Sequence, residues 1–171
     1  VLKELLAMKK FIYYAVLLAF SPLHQVHAHE GSGLIKNFQD WQVATSKQGC
    51  FAISEPKRTR AFYGLRNQPF FAVKYVSNNT FTISTSPGFQ VAKNKKTIID
   101  INNRSYSLYT GDGNFIWPAS ESADAFLINA LLTSNGYFVV NSYNQQGNNA
   151  IDYYSTRGLY RALQYMNDHC R

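Results

Sequence analysis

Histidine, cysteine and acidic side chains are scarce in this 171-residue chain, which has four His, two Cys and ten Asp plus Glu. The histidines are His24, His27, His29 and His169, and only His29 and His169 would remain after removal of a leader ending at Ala28, which is thin for a hydrolase or a metal enzyme. No C-x-x-C pair suggests redox chemistry. Gly111 to Asn114 lacks the alternating acids and terminal Glu of a calcium loop and reads as a turn. Ser155, Asp152 and His169 can be drawn as a triad, but no nucleophile elbow surrounds the serine. No apolar run reaches the roughly 20 residues that span a hydrocarbon core, and no internal repeat is present. These absences weigh against an enzyme, so neither a cofactor nor a metal is expected.

What is there begins with a leader. Met8, Lys9 and Lys10 form a basic head, Phe11 to Phe20 a short apolar run, and Pro22 stops any helix. Val26, His27, Ala28 then offers apolar or small residues where a signal peptidase cuts. The reading is a signal peptide over 1–28 that includes an upstream extension before Met8, cleaved after Ala28. A flexible N-terminus over 29–37 and a single domain over 38–171 would follow. Processing there would leave His29 first, where its amine and imidazole together could chelate copper. A copper-binding or oxidative enzyme built on that terminus is the alternative reading.

Export also sets the meaning of the cysteines. Cys50 and Cys170 both survive cleavage, and an even count in an oxidising compartment reads as a structural disulfide. It would close a loop of about 120 residues, a constraint of roughly 5 kcal/mol by chain entropy.

The leader holds three of the 17 bases (Lys3, Lys9, Lys10) and one of the ten acids (Glu4), leaving 14 bases against nine acids. The bases gather at Lys57, Arg58, Arg60 with Arg66, and at Lys93, Lys95, Lys96. Both clusters sit near turns and fit solvated loops, or a surface for anionic lipid, glycan or an acidic partner. Nucleic acid is not expected, because neither cluster is interleaved with aromatics in a recognisable binding module. Tyr153, Tyr154, Tyr160 and Tyr165 fall beside Arg157 and Arg161. Tyr and Arg favour interface hot spots, so this segment is the first candidate contact surface.

Strand signals dominate the rest. FQDWQVATS from Phe38, CFAIS from Cys50, FFAVKYV from Phe70, TFTIS from Thr80, GFQVA from Gly88, TIIDIN from Thr97 and SYSLYT from Ser105 are rich in β-branched and aromatic residues. Asn, Gly and Pro punctuate them. YFVVNSYN from Tyr137 and IDYYS from Ile151 read as a further pair. The spacing predicts an antiparallel sandwich or barrel. Two helices interrupt it, one from Ser120 to Asn135 with Ala123, Phe126, Leu127, Ala130 and Leu131 as its apolar face. The other runs from Gly158 to Asn167 with Leu159, Leu163 and Met166 on one stripe.

In order along the chain stand F-x-D-W (Phe38, Asp40, Trp41), G-C-F-A-I-S-E-P-K (Gly49 to Lys57) and L-Y-T-G-D (Leu108 to Asp112) with Trp117 and Pro118. D-Y-Y-S-T-R-G-L-Y-R-A-L (Asp152 to Leu163) follows, ending in Cys170. This ordered set resembles the invasion-associated locus B proteins of bacterial envelopes. The resemblance implies a mainly β, immunoglobulin-like antiparallel sandwich and a periplasmic or outer-envelope location in a Gram-negative bacterium. It also implies a non-enzymatic role connected with host-cell invasion and virulence. The partner expected is an envelope or host protein, or an anionic membrane surface. One departure is NQQGNNA (Asn144 to Ala150), where the family carries a serine-, arginine- and glycine-rich turn.

Overall fold

The computed structural model describes residues 33–60, 64–110 and 113–170. The leader, its cleavage point and His29 lie outside the described residues. In chain order the elements are β1 (Gly33–Phe38), β2 (Trp41–Ser46), β3 (Gly49–Ser54), β4 (Arg58–Arg60), β5 (Phe70–Ser77) and β6 (Thr80–Ser86). Then come β7 (Thr97–Ile101), β8 (Arg104–Thr110), β9 (Ile116–Trp117), α1 (Glu121–Leu132), β10 (Tyr137–Tyr143), β11 (Asn149–Ser155) and α2 (Leu159–His169).

All strand pairs are antiparallel, in the order β1-β2-β3-β5-β6-β9-β8-β7-β10-β11-β4. Among the described residues a mainly β antiparallel fold with two short helices, the second at the C-terminus, is therefore present. The separate sheets of an immunoglobulin-like sandwich are not, because β9 joins the two halves into one curled sheet. Its two residues pair with Thr85 on one side and with Tyr109 and Thr110 on the other. The curl brings the inner faces together. Phe71 of the first half meets Phe138 and Tyr154 of the second at centroid distances of 4.7 and 5.8 Å, and the Trp41 indole N–H donates to the Ser155 carbonyl at 2.9 Å. Trp41, Val43, Ala52, Phe71, Ile99 and Phe138 are wholly buried between them. Aromatic rings in such edge-to-face contact contribute about 0.5–1.5 kcal/mol beyond the area they bury.

Turn chemistry sets the registers. Asn102 and Asn103 both take positive φ, 51° and 62°, and close the β7–β8 hairpin in two residues. That is the mirror-image turn whose twist suits a hairpin, and asparagine tolerates it. Gln39, at φ 55°, helps close β1 onto β2. The sheet therefore begins at Gly33, inside the segment expected to be flexible.

Three strands were not apparent in the sequence, β1, β4 and β9, being short, charged or outside the aromatic runs. One expected strand is absent. GFQVA contributes only a single bridge, Val91 to Asn144, because its start is locked against a loop. Gly88, at φ 80°, accepts a hydrogen bond from the Asn67 N–H at 2.8 Å, and a Cβ there would lie 2.0 Å from the Asn67 carbonyl oxygen. The segment buries Val91 and Ala92 while crossing between the halves.

Both helices close the core. In α1 the Ser120 hydroxyl accepts the Ala123 N–H, an N-cap that side-chain chemistry predicts. Its buried face is Asp124, Leu127, Ile128 and Leu131, rotated from the expected one, and Phe126 is more than half exposed. The rotation lets the Asp124 carboxylate accept the Ile83 N–H at 2.6 Å, so the helix covers a stretch of β6 edge that β9 is too short to pair. Burial raises the Asp124 pKa above its ordinary value, with the Ile83 hydrogen bond opposing and Glu121 adding to the rise. In α2 the buried stripe is Leu159, Ala162, Leu163 and Met166. The helix ends at the Cys50–Cys170 disulfide, with a Cα separation of 6.0 Å, which fastens it to β3.

Candidate functional site

The residues that carry the family resemblance meet one another. Phe38 packs on Tyr165 at 5.4 Å, Asp40 pairs with Lys57 at 2.6 Å, Trp41 donates to Ser155 and Cys50 bonds Cys170. Gly158, at φ 93°, lies so near Phe38 that a Cβ would come within 2.0 Å of its carbonyl oxygen. These contacts tie the β1–β2 turn to the junction of β11 and α2. The hydrogen bond from Lys57, with a further one from Ser155, holds the Asp40 carboxyl below its ordinary pKa. These motif residues thus specify packing.

Asp152 has the same character. Its carboxylate is 2 % exposed and takes both arms of the Arg66 guanidinium at 2.8 and 2.9 Å, with the Thr59 hydroxyl at 2.6 Å. Arg66 also donates to the Pro87 carbonyl at 3.2 Å. A bidentate pair of this kind is strong and directional. It fixes β4 and the loop before β5 onto β11, so Arg66 leaves the basic surface cluster where the sequence had placed it. The drawn triad does not form around these groups. The Ser155 hydroxyl accepts the Arg157 N–H, and His169 bonds the Tyr165 carbonyl while stacked on the Tyr165 ring. Among the described residues no three His, Cys, Asp or Glu side chains could hold a metal ion.

Strand alternation divides the tyrosines. On β11, Tyr154 points inward, 1 % exposed and stacked on Phe138 at 5.2 Å, and burial raises its phenol pKa. Tyr154 is therefore a core residue and leaves the candidate contact set. Tyr153 points outward, opposite Arg58 of β4, whose guanidinium lies 4.2 Å from the ring centroid. Cation–π contacts at exposed sites contribute about 0.5–1 kcal/mol. Arg60 stands opposite Ile151 one pair further along. Lys57 is half exposed yet paired with Asp40, and Arg157 and Arg161 are exposed, Arg157 near enough to Asp40 to act on its charge.

Register extends the row. Tyr153 faces Val139, Val139 faces Asp100, and Asp100 faces Ser105, so Arg58, Tyr153, Val139, Asp100 and Ser105 cross five strands on one outer face. Tyr137, 62 % exposed, stands two residues before Val139 on the same face. Tyr143, with Lys95 4.4 Å from its ring centroid, lies toward the other end. Tyr109 and Trp117, paired directly and 57 % and 42 % exposed, continue the face across β8 and β9. The sequence marked Arg58, Arg60 and Tyr153. It missed Tyr137, Asp100, Tyr109 and Trp117, whose common face depends on pairing between distant strands.

No family profile matches the chain, and no curated protein does. The fold is shared with the crystal structure of invasion associated protein B from Bartonella henselae, at a TM-score of 0.56 and 12 % identity. The match covers 78 % of this chain and 96 % of that one. A solved protein of the kind that the ordered motifs resemble thus has the same overall fold as this chain.

Proposed function

We propose that this chain is an exported, non-enzymatic envelope protein of the invasion-associated kind, working by surface contact with an envelope or host partner. The outer face of β4-β11-β10-β7-β8 with β9 is its contact surface. The observation that carries this reading is the cluster of Arg58, Tyr153 and Tyr137 on one open face, with exposed Tyr109 and Trp117 on the same side of the sheet further along. Tyrosine, tryptophan and arginine are the residues that protein interfaces concentrate, and singly scattered exposed aromatics would not share a face. Of the motif residues, Phe38, Asp40, Trp41, Asp152, Tyr154 and Gly158 are occupied in holding the fold, while Tyr109, Trp117 and Tyr153 stand on the open face. The leader, the disulfide and the likeness to invasion associated protein B support export.

Fractionation tests the location: the mature chain should begin at His29 and leave the cytoplasm, and its retention there would contradict export. For contact, fluorescently labelled mature protein is applied to intact cells of the host type. Retention should fall with Arg58→Glu plus Tyr153→Ala and stay unchanged with Lys47→Glu in the β2–β3 turn of the other half. Equal retention by all three proteins would remove the face from the account.

A further inference from the structure

Two adjoining hollows indent this outer face, of about 470 and 370 Å³, and Tyr137 and Tyr153 line both. Each is within the size range of small-ligand sites. The larger is walled by Asp100, Asn103, Ser105 and Asn135 beyond the tyrosines, and the smaller by Lys57 and Arg58. The chemistry therefore changes along the groove, from carboxylate and amides, through two phenol rings and Val139, to cations.

Resting on the contact face described above, we infer that this groove binds an acidic oligosaccharide, a chain of sugar rings carrying carboxylate or sulfate groups. Sugar rings present a C–H face that carries partial positive charge, which suits the negative face of an aromatic ring. Neighbouring sugar hydroxyls both donate and accept, which suits a carboxylate beside amides better than it suits any wholly apolar or wholly anionic ligand. Asp100 is oriented for this by the Ser105 hydroxyl, which bonds its Oδ1. Asn102 shapes the end of the groove. Its Oδ1 accepts the Asn135 N–H at 3.1 Å and its amide donates to the Thr133 carbonyl at 3.4 Å, which ties the loop after α1 to the β7–β8 turn.

Charge selects the acidic sugar over a neutral one. Lys57 is already paired with Asp40, so the cation available to a ligand at this end is Arg58, held against Tyr153 at 4.2 Å. A guanidinium fixed on a ring is pre-organised to fork onto a carboxylate or sulfate. Arg60 follows one pair along the same edge. A nucleic acid or other dense polyanion would instead bring its charge against Asp100. A neutral sugar would leave the arginine end unmatched, and a lipid tail would strand the carboxylate and amides.

Calorimetric titration of the mature protein tests the inference with three hexasaccharides: hyaluronan-derived, carrying carboxylates alone; chondroitin-sulfate-derived, carrying sparse sulfates as well; and maltohexaose, which is neutral. At least one acidic probe should bind, and maltohexaose about tenfold more weakly or not at all. Tyr153→Ala and Arg58→Gln should each weaken the acidic probe about tenfold, the scale of one lost stacking or charge-assisted contact. Asp100→Asn and Asn103→Ala should weaken it several-fold. A triple Lys93, Lys95, Lys96→Gln variant should change it less than twofold. All these side chains lie on the surface, and thermal melts confirm that each variant folds. Failure of both acidic probes to bind overturns the inference. So does an affinity that tracks net charge, with the lysine triple losing as much as Arg58→Gln and Tyr153→Ala losing nothing. If no glycan binds but Arg58→Glu plus Tyr153→Ala still releases the protein from cells, the contact face stands and the sugar ligand falls. If glycan binds and cell retention does not depend on the face, the reverse holds.

Discussion

Cutting the buried Arg66–Asp152 pair should cost more stability than cutting the more exposed Lys57–Asp40 pair. The Asp152 carboxylate is 2 % exposed and the Arg66 side chain 12 %. Removing one partner of such a buried pair leaves the other charge without compensation, at about 3–5 kcal/mol. Arg66→Met strands the more deeply buried carboxylate with the Thr59 hydroxyl as its remaining side-chain donor, so about 4 kcal/mol is expected. Asp152→Leu leaves a guanidinium that can turn partly toward water, so about 3 kcal/mol is expected. With a urea slope of about 2 kcal/mol/M, these correspond to midpoint shifts of roughly 2 and 1.5 M. The double variant Arg66→Met with Asp152→Leu should recover most of the loss, since replacing both charges by apolar groups is often close to neutral. Urea unfolding of all four proteins measures this. Single-variant shifts below about 0.3 M, or a double variant as unstable as the sum of the singles, would refute the reasoning.

Two further predictions concern the covers of the core. Reducing Cys50–Cys170, or replacing Cys170 by Ser, should lower unfolding free energy by up to about 5 kcal/mol; an unchanged thermal midpoint under reductant would contradict a stabilising bridge. Asp124 has a raised pKa when folded, so its ionisation opposes folding as pH rises above 3.8, and its contribution improves on acidification from neutrality. Asp124→Asn keeps an acceptor for the Ile83 N–H without the charge. It should match or exceed the parent at pH 7, with the difference shrinking toward pH 4. Thermal melts at the two pH values decide it, and a gap that widens on acidification would be the wrong sign.

The strands with dense β-branched and aromatic content, β2, β3, β5, β6, β7, β8, β10 and β11, were legible because alternation and Asn or Gly turns mark them locally. So were the Ser120 cap and the Cys50–Cys170 bridge. What escaped depends on pairing between distant segments. β9 is two residues long and is a strand only because Thr85 and Tyr109 flank it. That short bridge turns an expected two-sheet sandwich into one curled sheet. Arg66 read as a surface base because Asp152 stands 86 positions further along the chain. Tyr153 and Tyr154 looked equivalent, yet period-two alternation sends one to solvent and the other to the core. Asp100 and Tyr137 join Arg58 through the registers of β7, β10, β11 and β4, which composition does not encode.

The open face is the proposed working surface. Retention of labelled mature protein on intact host-type cells, compared between the parent and Arg58→Glu plus Tyr153→Ala with thermal midpoints matched, tests this most directly. A loss of about tenfold or more is expected, the scale of a charge reversal and one lost aromatic anchor at a contact centre. Retention within twofold of the parent would contradict it.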